Sequence, residues 1–235
     1  MISKTRMLER VKGWRSKQVA DGLADNPDLL SVRDPKGRNW LHVCCGVNPK
    51  ARKLRPADGV KTARVLLDAG LDLDHEAFRE GPWKATPLWY ATSRGQNLHL
   101  ARFLLGLGAD PNHCLWSAGF RDDVAAIQLL AAHGAEIDPV AEGHTPFLAA
   151  VQWSRFRAAR ALLDLGANPD FRDAGGMTAL HYMLKKGSDE RHFRMLIGHG
   201  ARGDIPNAQG ATAAEILARK RAPSLRKLAA RLPVD

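Results

Sequence analysis

A glycine returns along this chain at a near-constant interval, each time closing a run of helix-forming apolar residues. The positions are Gly70, Gly108, Gly134, Gly166 and Gly200, with gaps of 38, 26, 32 and 34 residues. A period of about 33 residues marks a stacked repeat, in which each unit is too small to bury its own apolar face and leans on its neighbours. The repeats occupy most of the 235 residues and leave no room for a second core, so the expectation is a single elongated array. An array of this kind offers a surface, and the surface does not name what it binds.

Composition narrows the classes. With 45% hydrophobic and 26% charged residues the chain has the make-up of an ordinary folded protein. No apolar stretch approaches the roughly 18 residues that span a bilayer, and the first ten residues hold no apolar segment resembling a signal peptide. No membrane insertion is expected. Three cysteines, Cys44, Cys45 and Cys114, cannot build a disulfide framework, which fits a reducing, cytoplasmic compartment. Arginine outnumbers lysine 23 to 12, as a GC-rich, bacterial genome would produce.

Charge is unevenly spread. Residues 1–65 hold 15 Lys and Arg against 6 Asp and Glu, a net +9; residues 66–218 hold 14 against 18, a net −4; the last 17 hold 6 against 1, a net +5. Basic ends flank a mildly acidic middle. Such ends solubilise and cap a repeat array, and they can also recruit phosphate backbones or acidic proteins.

The unit is clearest from Glu142-Gly-His-Thr-Pro-Phe-Leu-Ala-Ala-Val to Arg160-Ala-Leu-Leu-Asp-Leu-Gly-Ala-Asn-Pro-Asp170. Thr145 suits a helix N-cap and Pro146 the first helical position, where a missing N–H costs nothing. Ala150 and Val151 let the first helix approach the next repeat, Leu162 and Leu163 fill the interface, and Gly166 suits the left-handed position that ends a helix. The register returns at Thr86-Pro-Leu-Trp-Tyr-Ala-Thr, at Gly176-Met-Thr-Ala-Leu-His, and in a first copy, Asp34-Pro-Lys-Gly-Arg-Asn-Trp-Leu-His42, closed by Val65-Leu-Leu-Asp-Ala-Gly70. A last copy, Gly210-Ala-Thr-Ala-Ala-Glu-Ile-Leu, stops without its closing Leu-Leu-x-x-Gly.

These copies resemble the ankyrin repeat, with its Gly-x-Thr-Pro-Leu-His-x-Ala-Ala and Leu-Leu-x-x-Gly-Ala signatures. The resemblance implies an all-α fold: a repeat α-solenoid with short β-hairpin fingers, an ankyrin repeat array of about five repeats plus helical caps. It divides the chain into a helical cap over 1–33, read as one helix or a half-repeat, repeats over 34–204, and a C-terminal capping repeat with a basic tail over 205–235. Two departures stand out. The first repeat carries a basic insertion over 48–62, with Lys50, Arg52, Lys53 and Arg55, expected to project as a loop. The third lacks its preceding hairpin, since only five residues separate Gly108 from the next helix start. The connection before Thr86 is longer than usual and holds Trp83.

In this family partners sit in a concave groove made by hairpin tips and inner-helix positions. Carried over residue by residue, that groove comprises Tyr90, Ser93 and Arg94; Ser117, Phe120 and Arg121; Ala149, Gln152 and Trp153; and Tyr182, Lys185 and Lys186. Aromatics and cations recur on one strip, and Tyr, Trp and Arg are the side chains that dominate interface energies. The strip suits an acidic, partly apolar protein surface. Aromatics at helical spacing also pack in cores, and the sequence leaves Phe120 and Trp153 open between the two readings.

Catalytic patterns are missing. His42 and His181 fall on the signature His, which in the family bonds neighbouring backbone; His133 and His199 precede Gly134 and Gly200 at helix C-termini, where a cation favours the dipole. Trp89 and Trp116 stand in for the signature His as structural residues. His113 and Cys114 point apart and have no second pair at metal spacing. Asp122-Asp123 and Asp189-Glu190 read as helix caps. Neither a phosphate loop nor a nucleophile elbow occurs. The reading is therefore a monomeric, non-catalytic adaptor or inhibitor that needs no cofactor or metal and binds one or more proteins. The alternative is nucleic-acid or anionic-surface binding through the basic N-terminal third and the insertion, chiefly Lys50, Arg52, Lys53 and Arg55. A bacterial immunity or effector role would be the first mechanism in a particular setting.

Overall fold

Helix boundaries follow from local chemistry. Thr145 Oγ1 accepts the Leu148 N–H at 3.2 Å with Pro146 at the first helical position, and Thr86 and Pro87 do the same for the Trp89 N–H at 3.3 Å. At the far ends Gly70, Gly108, Gly134, Gly166 and Gly200 all take positive φ, between 81° and 97°. The recurrent glycine is a left-handed helix terminator in every copy.

The protein, seen in a computed structural model, is described over residues 2–77 and 85–232. Trp83, in the long connection before Thr86, lies outside the described residues. Fifteen α-helices form among them, and the fold is an all-α repeat solenoid without a sheet. By contact the chain divides into two compact units, residues 1–117 with 132–135 and residues 118–131 with 136–235.

In the first unit, α1 (Lys4–Lys12) pairs with α2 (Ser16–Asp25), followed by a 3-10 turn over Pro27–Ser31. Next come α3 (Trp40–Cys45), α4 (Pro49–Arg52), α5 (Pro56–Asp68), α6 (Pro87–Ser93) and α7 (Leu98–Gly106). The inner helices α1, α3 and α6 stack in order, and the outer α2, α5 and α7 stack behind them. Leu41, Leu66, Leu88, Leu100 and Leu104 are fully buried there. The chain continues through α8 (Cys114–Phe120) and α9 (Val124–Ala132). In the second unit the pairs are α10 (Pro146–Gln152) with α11 (Phe156–Asp164), α12 (Ala179–Lys186) with α13 (Glu190–Gly198), and α14 (Ala213–Ala218) with α15 (Pro223–Ala229). Its core is built on Phe147, Leu148, Leu162, Phe193 and Leu196.

Two expectations are corrected. The first is the N-terminal segment, which is two helices and not one. Trp14 takes a left-handed φ of 51° between them, and its indole N–H donates to the Cys44 carbonyl at 3.1 Å, which pins the turn against α3.

The second is the basic insertion, which is not a projecting loop. Asn48 caps a short helix, α4, and Pro56 starts an outer helix that runs 13 residues, longer than its counterparts. Gly59 of that extension lies so close to Trp14 that a Cβ would sit 2.9 Å from the ring.

The β-hairpin fingers are short: among the described residues they pair as isolated bridges at Ala141–His144 and Pro206–Thr212. The reason is local: Asp34 Oδ1 accepts the N–H groups of Lys36 and Arg38, Asp173 Oδ1 those of Gly175 and Met177, and Asn207 Oδ1 those of Gln209 and Ala211. Each turn satisfies most of its amides locally, and the Ala208 N–H donates to the Gly175 carbonyl of the neighbouring turn at 3.0 Å.

Candidate functional site

The C-terminal ends of the inner helices present the side chains of interest. Trp153 is the residue that ends α10, and Ser154 after it takes a left-handed φ of 57°; Phe120 ends α8, and Asp122 two residues on has the same φ of 57°. These sharp turns swing the chain into the outer helix and leave the last inner-helix side chain outside the core. Phe120 is 50% and Trp153 58% exposed, and their rings meet edge to face with centroids 5.3 Å apart. Two large rings in contact and open to solvent are unusual unless something covers them, because their apolar area is not removed from water in the free protein.

Arg155 holds this pair in place. Its Nε donates to the Phe120 carbonyl at 2.9 Å, and its guanidinium lies 5.7 Å from the Phe120 ring centroid. Asp122 adds a second tie, accepting the Ala158 N–H at 2.7 Å at the start of α11. Neither role was legible in the sequence, because each joins residues about one repeat apart (). The signal available was the non-glycine residue in a turn where a neighbouring repeat has Gly187.

The remaining predicted positions divide. Arg121, Lys185 and Lys186 are exposed, and Gln152 is half-buried. The Lys186 ammonium bonds the Gln152 carbonyl and reaches Ser154 Oγ at 3.5 Å, so it bridges α12 to the turn after α10. Tyr182 is half-buried, and its hydroxyl donates to Asp173 Oδ2 at 2.5 Å. Burial, together with the Asp173 carboxylate, pushes that phenol up to about 12.

Tyr90 is corrected: it is 4% exposed and packs in the core instead of projecting as an interface anchor. Its ring packs edge-on to His42 and Trp89, with the Arg38 guanidinium 5.8 Å from its centroid. Ser93, 4% exposed, and Ala149, 8% exposed, are buried as well, whereas Arg94 at the end of α6 is exposed. Inner-helix positions that face the preceding helix are core here, and only the terminal ones project.

His42 and His181 have structural roles. His42 Nδ1 accepts the Asn39 N–H and its Nε2 donates to the His75 carbonyl at 2.8 Å; His181 does the same between Thr178 and Ala211. Burial pushes the Cys44, Cys45 and Cys114 thiols well up. In the insertion, Arg55 forms a two-pronged pair with Asp58, at 2.9 and 3.1 Å, while Lys50, Arg52 and Lys53 are exposed. Asp123 caps α9 through the Ala126 N–H. No helix among the described residues is long and apolar enough to cross a membrane.

Two segments match models of known repeats: residues 83–116 match "Ankyrin repeat", and residues 148–197 match "Ankyrin repeats (many copies)". Among solved structures, the human ASB11 ankyrin repeat domain aligns with a TM-score of 0.73 at 22% identity, covering 100% of both chains. The ankyrin repeat domain of Bcl-3, described as a unique member of the IkappaB protein family, aligns with a TM-score of 0.75 at 21% identity, over 97% of this chain and 99% of that one. An ankyrin repeat domain from Acinetobacter baumannii aligns with a TM-score of 0.65 at 22% identity, over 85% and 100%.

Proposed function

We propose that this chain is an ankyrin repeat protein acting as a non-catalytic adaptor or inhibitor that grips a protein partner on the inner-helix face of residues 118–235. The observation that carries the reading is the exposed Phe120–Trp153 pair, held by Arg155, next in sequence to Arg121 and Gln152 and joined through Gln152 to Lys186 of α12, the helix that also carries Tyr182 and Lys185. Preformed rings lose little entropy on binding, so a few anchors supply most of the affinity. The cations around them favour a partner whose surface is acidic with an apolar or aromatic centre. Free, buried thiols fit a reducing cytoplasm, and the reading is of a monomer acting by occupancy, with no turnover.

A pull-down from native cell lysate, with nuclease present and at low and moderate salt, tests this. The wild type is expected to retain a protein that the Phe120→Ala/Trp153→Ala variant loses, each substitution costing on the order of 2 kcal/mol in binding. Retention of nucleic acid instead, unaffected by these substitutions and falling steeply with salt, would move the function to Lys50, Arg52 and Lys53.

A further inference from the structure

The first unit holds a cavity of about 520 Å³ over α3. Trp40 and Val43 of α3 and Val47 just beyond it line it, together with residues of α1, α4, α6 and the 32–38 segment. Leu8 and Val32 extend the apolar lining, and neither is fully buried. The volume falls within the roughly 300–1,000 Å³ of sites that engulf small molecules.

Charge around the mouth is one-sided. Lys4, Lys12, Arg52 and Arg94 line it, and none has a carboxylate partner among the described residues. The only acid in the lining, Asp34, is occupied: Arg38 Nε and Nη2 bond its Oδ2 at 2.6 and 2.5 Å. Four cations with no local counterion over an apolar floor raise the local concentration of anions, while the floor rewards an apolar body that leaves water.

We propose that this cavity binds a small organic acid, a carboxylate joined to an apolar chain or ring, with the apolar part over Val43 and Val47 and the carboxylate between Arg52 and Arg94. The site is independent of the Phe120–Trp153 face and stands or falls without it.

Isothermal titration with dodecanoate below its micelle concentration tests the proposal, with dodecanol, acetate and an acidic peptide as comparison ligands. One dodecanoate per chain is expected, perturbing the Trp40 indole resonance, with dodecanol and acetate each at least about tenfold weaker. The Arg52→Glu/Arg94→Glu variant reverses two exposed side chains and leaves the core intact. It should weaken dodecanoate at least about tenfold while its melting curve stays that of the wild type. Dodecanol equal to dodecanoate, unchanged affinity in the variant, a Trp40 resonance that does not move, or preference for the acidic peptide would each overturn it. Should the double variant prove unfolded, the wild-type contrast among dodecanoate, dodecanol and acetate still decides.

Discussion

Side chains of one chemical type divide here by where they fall along an inner helix. Tyr90 and Trp153 both belong to inner helices, yet one is 4% and the other 58% exposed. Tyr90 faces α3 and closes on His42, whereas Trp153 follows the last helical residue and leaves with the turn. Tyr90→Ala should therefore cost about 3 kcal/mol of folding stability, while Trp153→Ala should leave urea unfolding within about 0.5 kcal/mol of wild type. Equal losses would show that Trp153 is also core.

His42 makes a pH prediction at the same scale. Burial, the largest influence, lowers its pKa from 6.5 to about 4 in the folded protein. As pH falls below 6.5 the unfolded chain takes up a proton that the folded one refuses until about pH 4. The stability from neutral His42 is thus complete above pH 6.5 and is lost progressively towards pH 4, by up to about 3 kcal/mol. Urea midpoints at pH 7, 5.5 and 4.5 measure the loss, and a His42 ring resonance titrating near 6.5 would remove its cause.

Among the elements, packing distance between inner helices is set by backbone as well as side chains. At Gly95, just beyond α6, a Cβ would sit 2.2 Å from the Cys45 carbonyl oxygen at the end of α3. Gly95→Ala has no side chain to push aside, so α3 and α6 must separate, at a cost of about 1–3 kcal/mol read from chemical denaturation. An unchanged midpoint would mean that the two helices are less closely held. The lengthened α5 follows the same logic: Gly59 makes room for Trp14, which is why the extra residues fold back as helix and do not project. The sequence shows the added residues and the glycine, but the contact that joins them to Trp14 spans 45 positions and has no local trace.

At the scale of the whole molecule, a repeat protein is stabilised by nearest-neighbour interfaces, so its end units matter as covers. The pair α1 and α2 packs on α3 and α5 and buries Met7, Val11, Trp14, Val19 and Leu23. Removing residues 1–33 uncovers the facing sides of α3 and α5. The shortened protein should melt at least about 5 °C lower, since each kcal/mol is worth about 2–4 °C at this size. An unshifted transition would make this pair an appendage and not a cover.

Much of this was readable beforehand. Thr145-Pro146 starts a helix, Gly166 ends one, and His42 and His181 bond neighbouring backbone because these interactions lie within a few residues or repeat in register with the period. The all-α repeat class follows from the same local signals, since apolar spacing, caps and terminators act over one or two helical turns. What tertiary structure alone decided is which aromatic is core and which is surface. It also decided that Arg155 clamps Phe120, and that Lys4, Arg52 and Arg94 gather around one cavity. Those outcomes depend on the direction a side chain takes at a turn and on neighbours one repeat or more away. A one-dimensional pattern carries the spacing of residues but not the angle at which helices meet.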